Sequence, residues 1–172
     1  MSKLTDFRAE KDRFFARSPQ SPLTPAQRKE FGGLKYFPEN SAARIETKLE
    51  KHPNPVTVSM VTSTGQVAQY LKYGQVRFTL NGETQTLQVY KSSEHDELFL
   101  PFMDATTGVE TYGSGRYLDV HDLRHDGAII LDFNMAYSPY CAYNEQWSCP
   151  IPPRENRLTV RVEAGEKKFH EE

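Results

Sequence analysis

A two-residue turn at Asn81-Gly82 constrains the fold of this chain more than any other feature. It lies between two runs in which apolar and polar side chains alternate, one from Val76 to Leu80 and one from Leu87 to Val89. Asn and Gly both tolerate the positive φ angles of a type I′ turn, whose twist matches that of two paired strands. The segment therefore predicts a β-hairpin.

The same period of two recurs at 44–50, 56–60 and 158–162, and the segments at 98–102, 117–120 and 128–133 supply further strands. Many short strands with close turns, and no βαβ rhythm, are typical of an antiparallel β-barrel or sandwich. We therefore predict a single, mainly β domain over residues 34–165. The charged tail at 166–172 is expected to be frayed.

Helical signals are confined to residues 1–33. Apolar residues near helical spacing predict an amphipathic helix over about 5–16. Thr24, Pro25 and Gln27 then form the pattern of an N-cap, a first helical residue and a capping box. We expect residues 1–33 to form a helical clamp on the start of the sheet.

The composition excludes several classes of protein. Lys and Arg number 21 against 23 Asp and Glu, so the basic surface of a nucleic-acid-binding protein is not expected. No apolar run is long enough to span a membrane, and the charged N-terminus does not resemble a secretory signal. With only two cysteines, these features favour a cytoplasmic protein. Nucleotide, esterase and zinc-protease signatures are missing, so no cofactor is predicted, and the oligomeric state stays open.

Residues 134–157 form the most unusual segment, because they are rich in aromatic side chains and proline. They include both cysteines and the only tryptophan, Trp147. Loops are usually polar and variable, so a stiff aromatic loop is expected either to pack down as a lid or to shape a ligand site.

Two segments carry a resemblance to a known family, namely YGSGRYLDV at 112–120 and LDFNMAYSPYCAYNEQWSCPIPPRENRL at 131–158. They closely resemble bacterial and archaeal proteins known as the domain of unknown function numbered 1684. A looser likeness extends to FGGLKYF at 31–37 and to the first helix, so it covers most of the chain. Ser138 stands where an asparagine is expected in many members. The family name implies no activity, substrate or cofactor, so the chemistry has to come from the residues.

Arg116 and Asp132 both lie in apolar strand-like segments, where an unpaired charge is costly. We expect them to share one hydrogen-bonded cluster under the 134–157 loop. Arg116 would then either tie two strands together or anchor a ligand carboxylate or phosphate, with Asp132 orienting it. Asp132 and Asn134 lie two residues apart, so they either face one site or cap the following loop.

Cys141 and Cys149 allow three interpretations: buried inert thiols, a disulfide that closes the loop, or a catalytic thiolate. We predict that both are reduced and that neither is required as a nucleophile. Glu155 either forms ion pairs that lock the loop or acts as a general acid or base. His121 and His125 lie four residues apart, but their Asp-rich surroundings favour a solvated turn, so no metal site is predicted.

The leading hypothesis is a pocket under the 134–157 loop that binds a small polar or anionic metabolite, with turnover of that metabolite left open. The candidate ligand-binding residues are Arg116, Tyr117, Asp132, Asn134, Tyr137, Cys141 and Glu155. The alternative is a non-catalytic interaction module in which the Tyr/Trp/Pro-rich loop is a docking patch for a protein partner.

Overall fold

The computed structural model describes residues 3–92, 97–120 and 126–170. Two helices come first, α1 (Lys3–Arg17) and α2 (Pro25–Glu30). Six strands follow: β1 (Arg44–Val61), β2 (Val67–Leu80), β3 (Glu83–Ser92), β4 (Leu98–Phe102), β5 (Arg116–Val120) and β6 (Ala128–Asp132). Short 3-10 turns lie at Ser41–Ala43, Phe133–Met135, Tyr140–Ala142 and Arg154–Asn156.

The strands form one antiparallel sheet in the order β5-β4-β3-β2-β1-β6. The sheet curls into a half-barrel, and the chain leaving β6 reaches the outer edge of β5. There, Tyr117 and Tyr137 exchange two backbone hydrogen bonds of 2.8 and 3.0 Å. The predicted mainly β, antiparallel fold is confirmed.

The hairpin at Asn81-Gly82 is confirmed. Leu80 pairs with Glu83, and the two turn residues have φ angles of 53° and 78°. The predicted strands at 44–50 and 56–60 are one long strand, β1, whose register against β2 shifts between Lys51 and Val56. Pro53 and Pro55 lie at this shift, because a proline cannot donate the hydrogen bond that regular pairing requires.

The main apolar core takes buried side chains from all six strands. It also takes them from residues 158–164, where the predicted strand at 158–162 is wrong. That segment is extended but irregular, and it meets the chain after β4 through bonds from Leu158 N to Met103 O (2.7 Å) and from Ala105 N to Val160 O (3.0 Å). The alternating sequence pattern of this segment does match alternating burial, because Leu158, Val160 and Val162 are buried. Alternation therefore predicted burial correctly without predicting regular pairing.

The capping box of α2 is present as predicted, with Thr24 and Gln27 bonding to each other's backbone N–H. The two helices pack mainly on the 134–157 loop, which the clamp hypothesis did not anticipate. Phe15 and Leu23 form a second apolar cluster with Tyr143, and Gln27 Nε2 donates to Tyr143 O at 2.7 Å. In the part of the chain that the structure describes, no helix is long and apolar enough to cross a membrane.

The predicted frayed tail at 166–172 is wrong for residues 166–170. Glu166 is 1% exposed, because its carboxylate accepts hydrogen bonds from Lys11 and from the Tyr143 hydroxyl. Phe169 packs edge-on against Tyr143, with 5.3 Å between ring centroids. A buried carboxylate and one aromatic ring therefore anchor this end of the described chain to the helices and the loop.

Candidate functional site

The 134–157 loop is held down at both ends and in the middle. Pro150 pairs with Thr62 after β1, and Ile151 N donates to Val61 O at 2.9 Å. Asn156 is fully buried, and its amide bonds to Gln88 N, Gln88 O and Pro101 O at 2.8–2.9 Å. The loop is thus a packed part of the domain.

Arg116 pairs with Asp104, and the predicted pairing with Asp132 is wrong. Both side chains of the observed pair are fully buried, with 3.5 Å between Arg116 Nη2 and Asp104 Oδ1. The guanidinium also donates to the carbonyl oxygens of Val162, Ala164 and Glu166. Burial lowers the pKa of Arg116, and the Asp104 carboxylate opposes that shift. Arg116 is therefore used in holding the C-terminal segment, and its two terminal nitrogens, Nη1 and Nη2, already have protein acceptors.

Asp132 and Asn134 cap the chain after β6. Asp132 Oδ1 accepts from the backbone N–H and the side-chain amide of Asn134, at 3.0 and 2.9 Å. The Asn134 amide also bonds to both backbone groups of Asn40. Of the two interpretations that the sequence left open, the contacts match capping.

The hydroxyl groups of Tyr117 and Tyr137 both have protein partners. Tyr117 donates to Pro150 O, and Tyr137 donates to Asp119 Oδ1 at 2.7 Å. Burial raises the pKa of both phenols, so each stays a neutral hydrogen-bond donor at physiological pH. Their rings meet edge-to-face at 5.9 Å, which fastens the loop to β5.

Glu155 forms an ion pair with Lys72 at 2.8 Å and accepts a hydrogen bond from the Tyr90 hydroxyl. Burial acts to raise its pKa, but the bonds from Lys72 and Tyr90 outweigh burial and lower it. Glu155 is therefore an ionised group that ties the loop to β2 and β3, as the ion-pair interpretation expects.

Of the seven predicted residues, only Cys141 lines the cavity between the loop and the C-terminal segment. This cavity, hereafter the Cys141 cavity, has a volume of about 680 Å³. It is lined by Gln27, Gly108, 112–113, 141–146 and 168–170. Asp132 and Tyr137 instead line a separate cavity of about 280 Å³ with Phe7 and Arg44. The predicted set therefore does not converge on one site.

The Cys141 sulfur is surrounded by hydrogen-bond donors. The Cys149 thiol is the strongest of them, and it lowers the pKa of Cys141 to about 6 despite burial. The Tyr112 hydroxyl donates at 3.6 Å, and Ser63 also contributes. The same bond raises the pKa of Cys149, so that the two thiols have opposite tendencies. Both cysteines are free thiols.

Polar groups on the opposite wall of the Cys141 cavity come from the C-terminal segment. Lys168 Nζ donates to Gly108 O at 3.2 Å, and His170 Nε2 lies 3.2 Å from Tyr143 O. Lys168 and His170 were not predicted as site residues, because they lie in a charged tail of the kind that is usually exposed to solvent. Phe169 between them was the only apolar signal that this tail folds back.

The predicted turn at His121 and His125 lies outside the described residues. Within the described ranges, no group of three or more His, Cys, Asp or Glu side chains could hold a metal ion.

Comparisons with known proteins agree with the resemblance seen in the motifs. A solution NMR structure of an uncharacterised protein from Haloarcula marismortui is similar to this chain, with 40% identity and a TM-score of 0.76. The alignment covers 99% of this chain and 95% of the archaeal protein. No curated protein of known function matches the chain. The model of the family "Protein of unknown function (DUF1684)" matches residues 29–167, and the chain therefore belongs to that family.

Proposed function

We propose that this protein binds a small polar or anionic molecule in the Cys141 cavity. The observation that supports this is the cavity itself, a concave space of about 680 Å³ in the size range of small-molecule sites. Four separate parts of the chain meet there, so the wall depends on the folded domain. Turnover of the bound molecule would depend on Cys141, the nucleophilic group in this wall.

The charges in the wall favour an anion or a polar molecule over an apolar one. Lys168 contributes a cation, and Tyr112, Gln27 and Asn144 contribute neutral hydrogen-bonding groups. Glu145 is the acidic side chain in the same wall, so an anion is expected to bind toward Lys168. We also propose a cytosolic location, where both thiols would stay reduced.

The docking alternative has less support from the loop's side chains. Trp147 is 41% exposed, but its Nε1 donates to Pro22 O at 3.2 Å and its ring packs edge-on against Tyr140. Tyr143 is buried, and its hydroxyl group is bonded to Glu166 inside the domain. The aromatic residues of the loop thus pack mainly against their own domain, as a lid does.

Binding can be tested with inorganic phosphate as the probe, by thermal shift and calorimetry at constant ionic strength. At ten times its Kd, a ligand should stabilise the folded protein by about 1.4 kcal/mol. Lys168→Gln should weaken phosphate binding about tenfold, since a charge-assisted hydrogen bond contributes about 1.5 kcal/mol.

Lys167→Gln is the matched control. Lys167 carries the same charge one residue earlier but lies over the Phe37 ring, 5.3 Å from its centroid. Equal effects of the two substitutions, or no phosphate binding by the unaltered protein, would contradict an anion site in the Cys141 cavity.

A further inference from the structure

Cys141 and Cys149 are brought together by the path of the loop, although seven residues separate them. The 3-10 turn at Tyr140–Ala142 holds Cys141, and the chain then returns to pair with the end of β1. Ser63 fixes Cys149 on that return, through bonds from Ser63 N to Cys149 O (2.9 Å) and from Cys149 N to Ser63 Oγ (3.1 Å). The two sulfurs are close enough for the Cys149 thiol to donate to Cys141.

The two thiols are chemically unlike. Cys141 is 5% exposed and lies in the wall of the Cys141 cavity, whereas Cys149 is half-buried, does not line that cavity and bonds to Ser63 in the β1–β2 turn. Hydrogen bonds from Cys149 and Tyr112 lower the pKa of Cys141, which favours its thiolate form. The pKa of Cys149 is raised, so it keeps its proton. One nucleophilic sulfur and one protonated neighbour form the pair that two-step thiol oxidation requires.

Access to Cys141 selects the kind of oxidant. A protein disulfide can react only with a sulfur at the surface, whereas a small molecule can reach a sulfur through a cavity. The volume of about 680 Å³ leaves room for a small polar molecule beside Cys141 and Tyr112. A small hydroperoxide is polar and fits within this space.

We infer that Cys141 and Cys149 form a redox-active dithiol that reduces a small hydroperoxide entering through the Cys141 cavity. This inference depends on the proposed function only in that the same cavity admits the substrate. It assigns Cys141 as the residue that attacks and Cys149 as the residue that resolves.

In the first step, the Cys141 thiolate attacks the terminal oxygen of ROOH. An S–O bond forms and the O–O bond breaks. The leaving alkoxide takes a proton and departs as ROH, with Tyr112 Oη, 3.6 Å from the sulfur, placed to donate it. Tyr112 then regains a proton from solvent, which balances the proton that Cys141 lost to solvent when its thiolate formed. Cys141 is now a sulfenic acid, oxidised by two electrons.

In the second step, the Cys149 sulfur attacks the Cys141 sulfur. The S–S bond forms and the S–O bond breaks. The hydroxide leaves as water with the proton from Cys149, and an external dithiol then reduces the disulfide to restore both thiols. The sum is two thiols and ROOH giving a disulfide, ROH and water.

The test treats the reduced, unaltered protein with one equivalent of hydrogen peroxide at pH 7. We expect the loss of both titratable thiols and an intact mass lower by two hydrogens, with no covalent dimer. Cys149→Ser should instead accumulate a sulfenic acid on Cys141 that dimedone traps. Cys141→Ser should leave Cys149 reacting at least about tenfold more slowly, because Cys149 does not line the cavity through which the peroxide enters.

The measurements on the unaltered protein need no variant to fold, so they decide the inference by themselves. Two thiols that survive peroxide, or a first adduct on Cys149, would overturn it. Phosphate binding without thiol oxidation would refute this inference and leave the proposed anion site standing. Thiol oxidation in a protein that binds no phosphate would support the dithiol and contradict the proposed anion site.

Discussion

Arg116 and Asp104 form an ion pair between two fully buried side chains, with 3.5 Å between Nη2 and Oδ1. Asp104 Oδ2 also accepts from Val162 N at 2.7 Å, and Arg116 donates to the carbonyl oxygens of Val162, Ala164 and Glu166. The pair therefore joins β5, the segment after β4 and the C-terminal segment. Because the two side chains share partners, their contributions to stability should be coupled.

Asp104→Asn and Arg116→Met should each lower the free energy of unfolding by about 3–5 kcal/mol, because each leaves a buried charge without its partner. The double variant should be less destabilised than the sum of the two, as measured by denaturant unfolding in a double-mutant cycle. Arg44→Gln is the control, since Arg44 is 4.0 Å from Asp132 and 59% exposed, and it should cost less than about 1 kcal/mol. Small, additive effects at Asp104 and Arg116 would contradict this account.

Gly165→Ala should be more destabilising than Gly65→Ala. Both glycines have positive φ angles, 81° and 84°, so both substitutions carry backbone strain of about 1–3 kcal/mol. At Gly165, a Cβ would also lie 2.7 Å from Ala136 O and from Phe133 O, whereas at Gly65 it would meet nothing within 4 Å. Thermal unfolding of the two variants should isolate the steric cost, and equal melting temperatures would show that the tail at Gly165 can shift.

The features that were predicted correctly from the sequence are those formed by residues that are close together in the chain. The turn at Asn81-Gly82 and the capping box of Thr24 and Gln27 formed as expected, because each is satisfied within a few residues of chain. The partner of Arg116 could not be predicted in the same way. Asp104 and Asp132 are both carboxylates near strand ends, and only the curl of the sheet and the path of residues 158–166 decide between them.

The candidate site shows the same limit. Cys141 was identified from its unusual loop, but the opposite wall of its cavity is formed by Lys168 and His170 in a charged tail. The burial of Glu166 folds that tail back, and no local pattern distinguishes this carboxylate from its exposed neighbours. Sequence therefore identified one side of the Cys141 cavity and missed the other.

Glu166→Gln should loosen the contact between α1 and the C-terminal segment. The carboxylate is 1% exposed and bonds to Lys11 and Tyr143, so its loss leaves the largely buried Lys11 ammonium without an ionic partner. We expect a cost of about 3 kcal/mol and faster hydrogen exchange in α1. Glu163→Gln removes an ion pair from a side chain that is 55% exposed, and it should cost less than about 1 kcal/mol. Unchanged exchange in α1 after Glu166→Gln would show that the remaining contacts of this segment hold α1 without the carboxylate.

The last prediction concerns the titration of Cys141. Its pKa is lowered to about 6 by the hydrogen bond from Cys149, with Tyr112 and Ser63 also donating. Thiolate ultraviolet absorbance should therefore rise with a midpoint near pH 6, and Cys141→Ser should abolish this step. Tyr112→Phe should move the midpoint upward, because it removes a donor to the thiolate. Tyr137→Phe is the matched control, since its hydroxyl bonds to Asp119, and it should leave the midpoint in place.

The sign of the linked stability follows from the direction of this shift. A thiol whose pKa is lower in the folded state stabilises the fold fully above its ordinary pKa of 9.0, and that contribution is lost as the pH falls through about 6. The free energy of unfolding should therefore rise with pH across this window, and less so in Cys141→Ser.

Cys149 has a raised pKa and acts in the opposite sense above pH 9.0, where its proton is lost more readily from the unfolded chain. The remaining groups around the two sulfurs, Tyr117 and Tyr140, are phenols with raised pKa values that stay neutral in the window from pH 6 to 9. An absorbance midpoint above pH 8 would contradict the thiolate, and with it the assignment of Cys141 as the attacking residue.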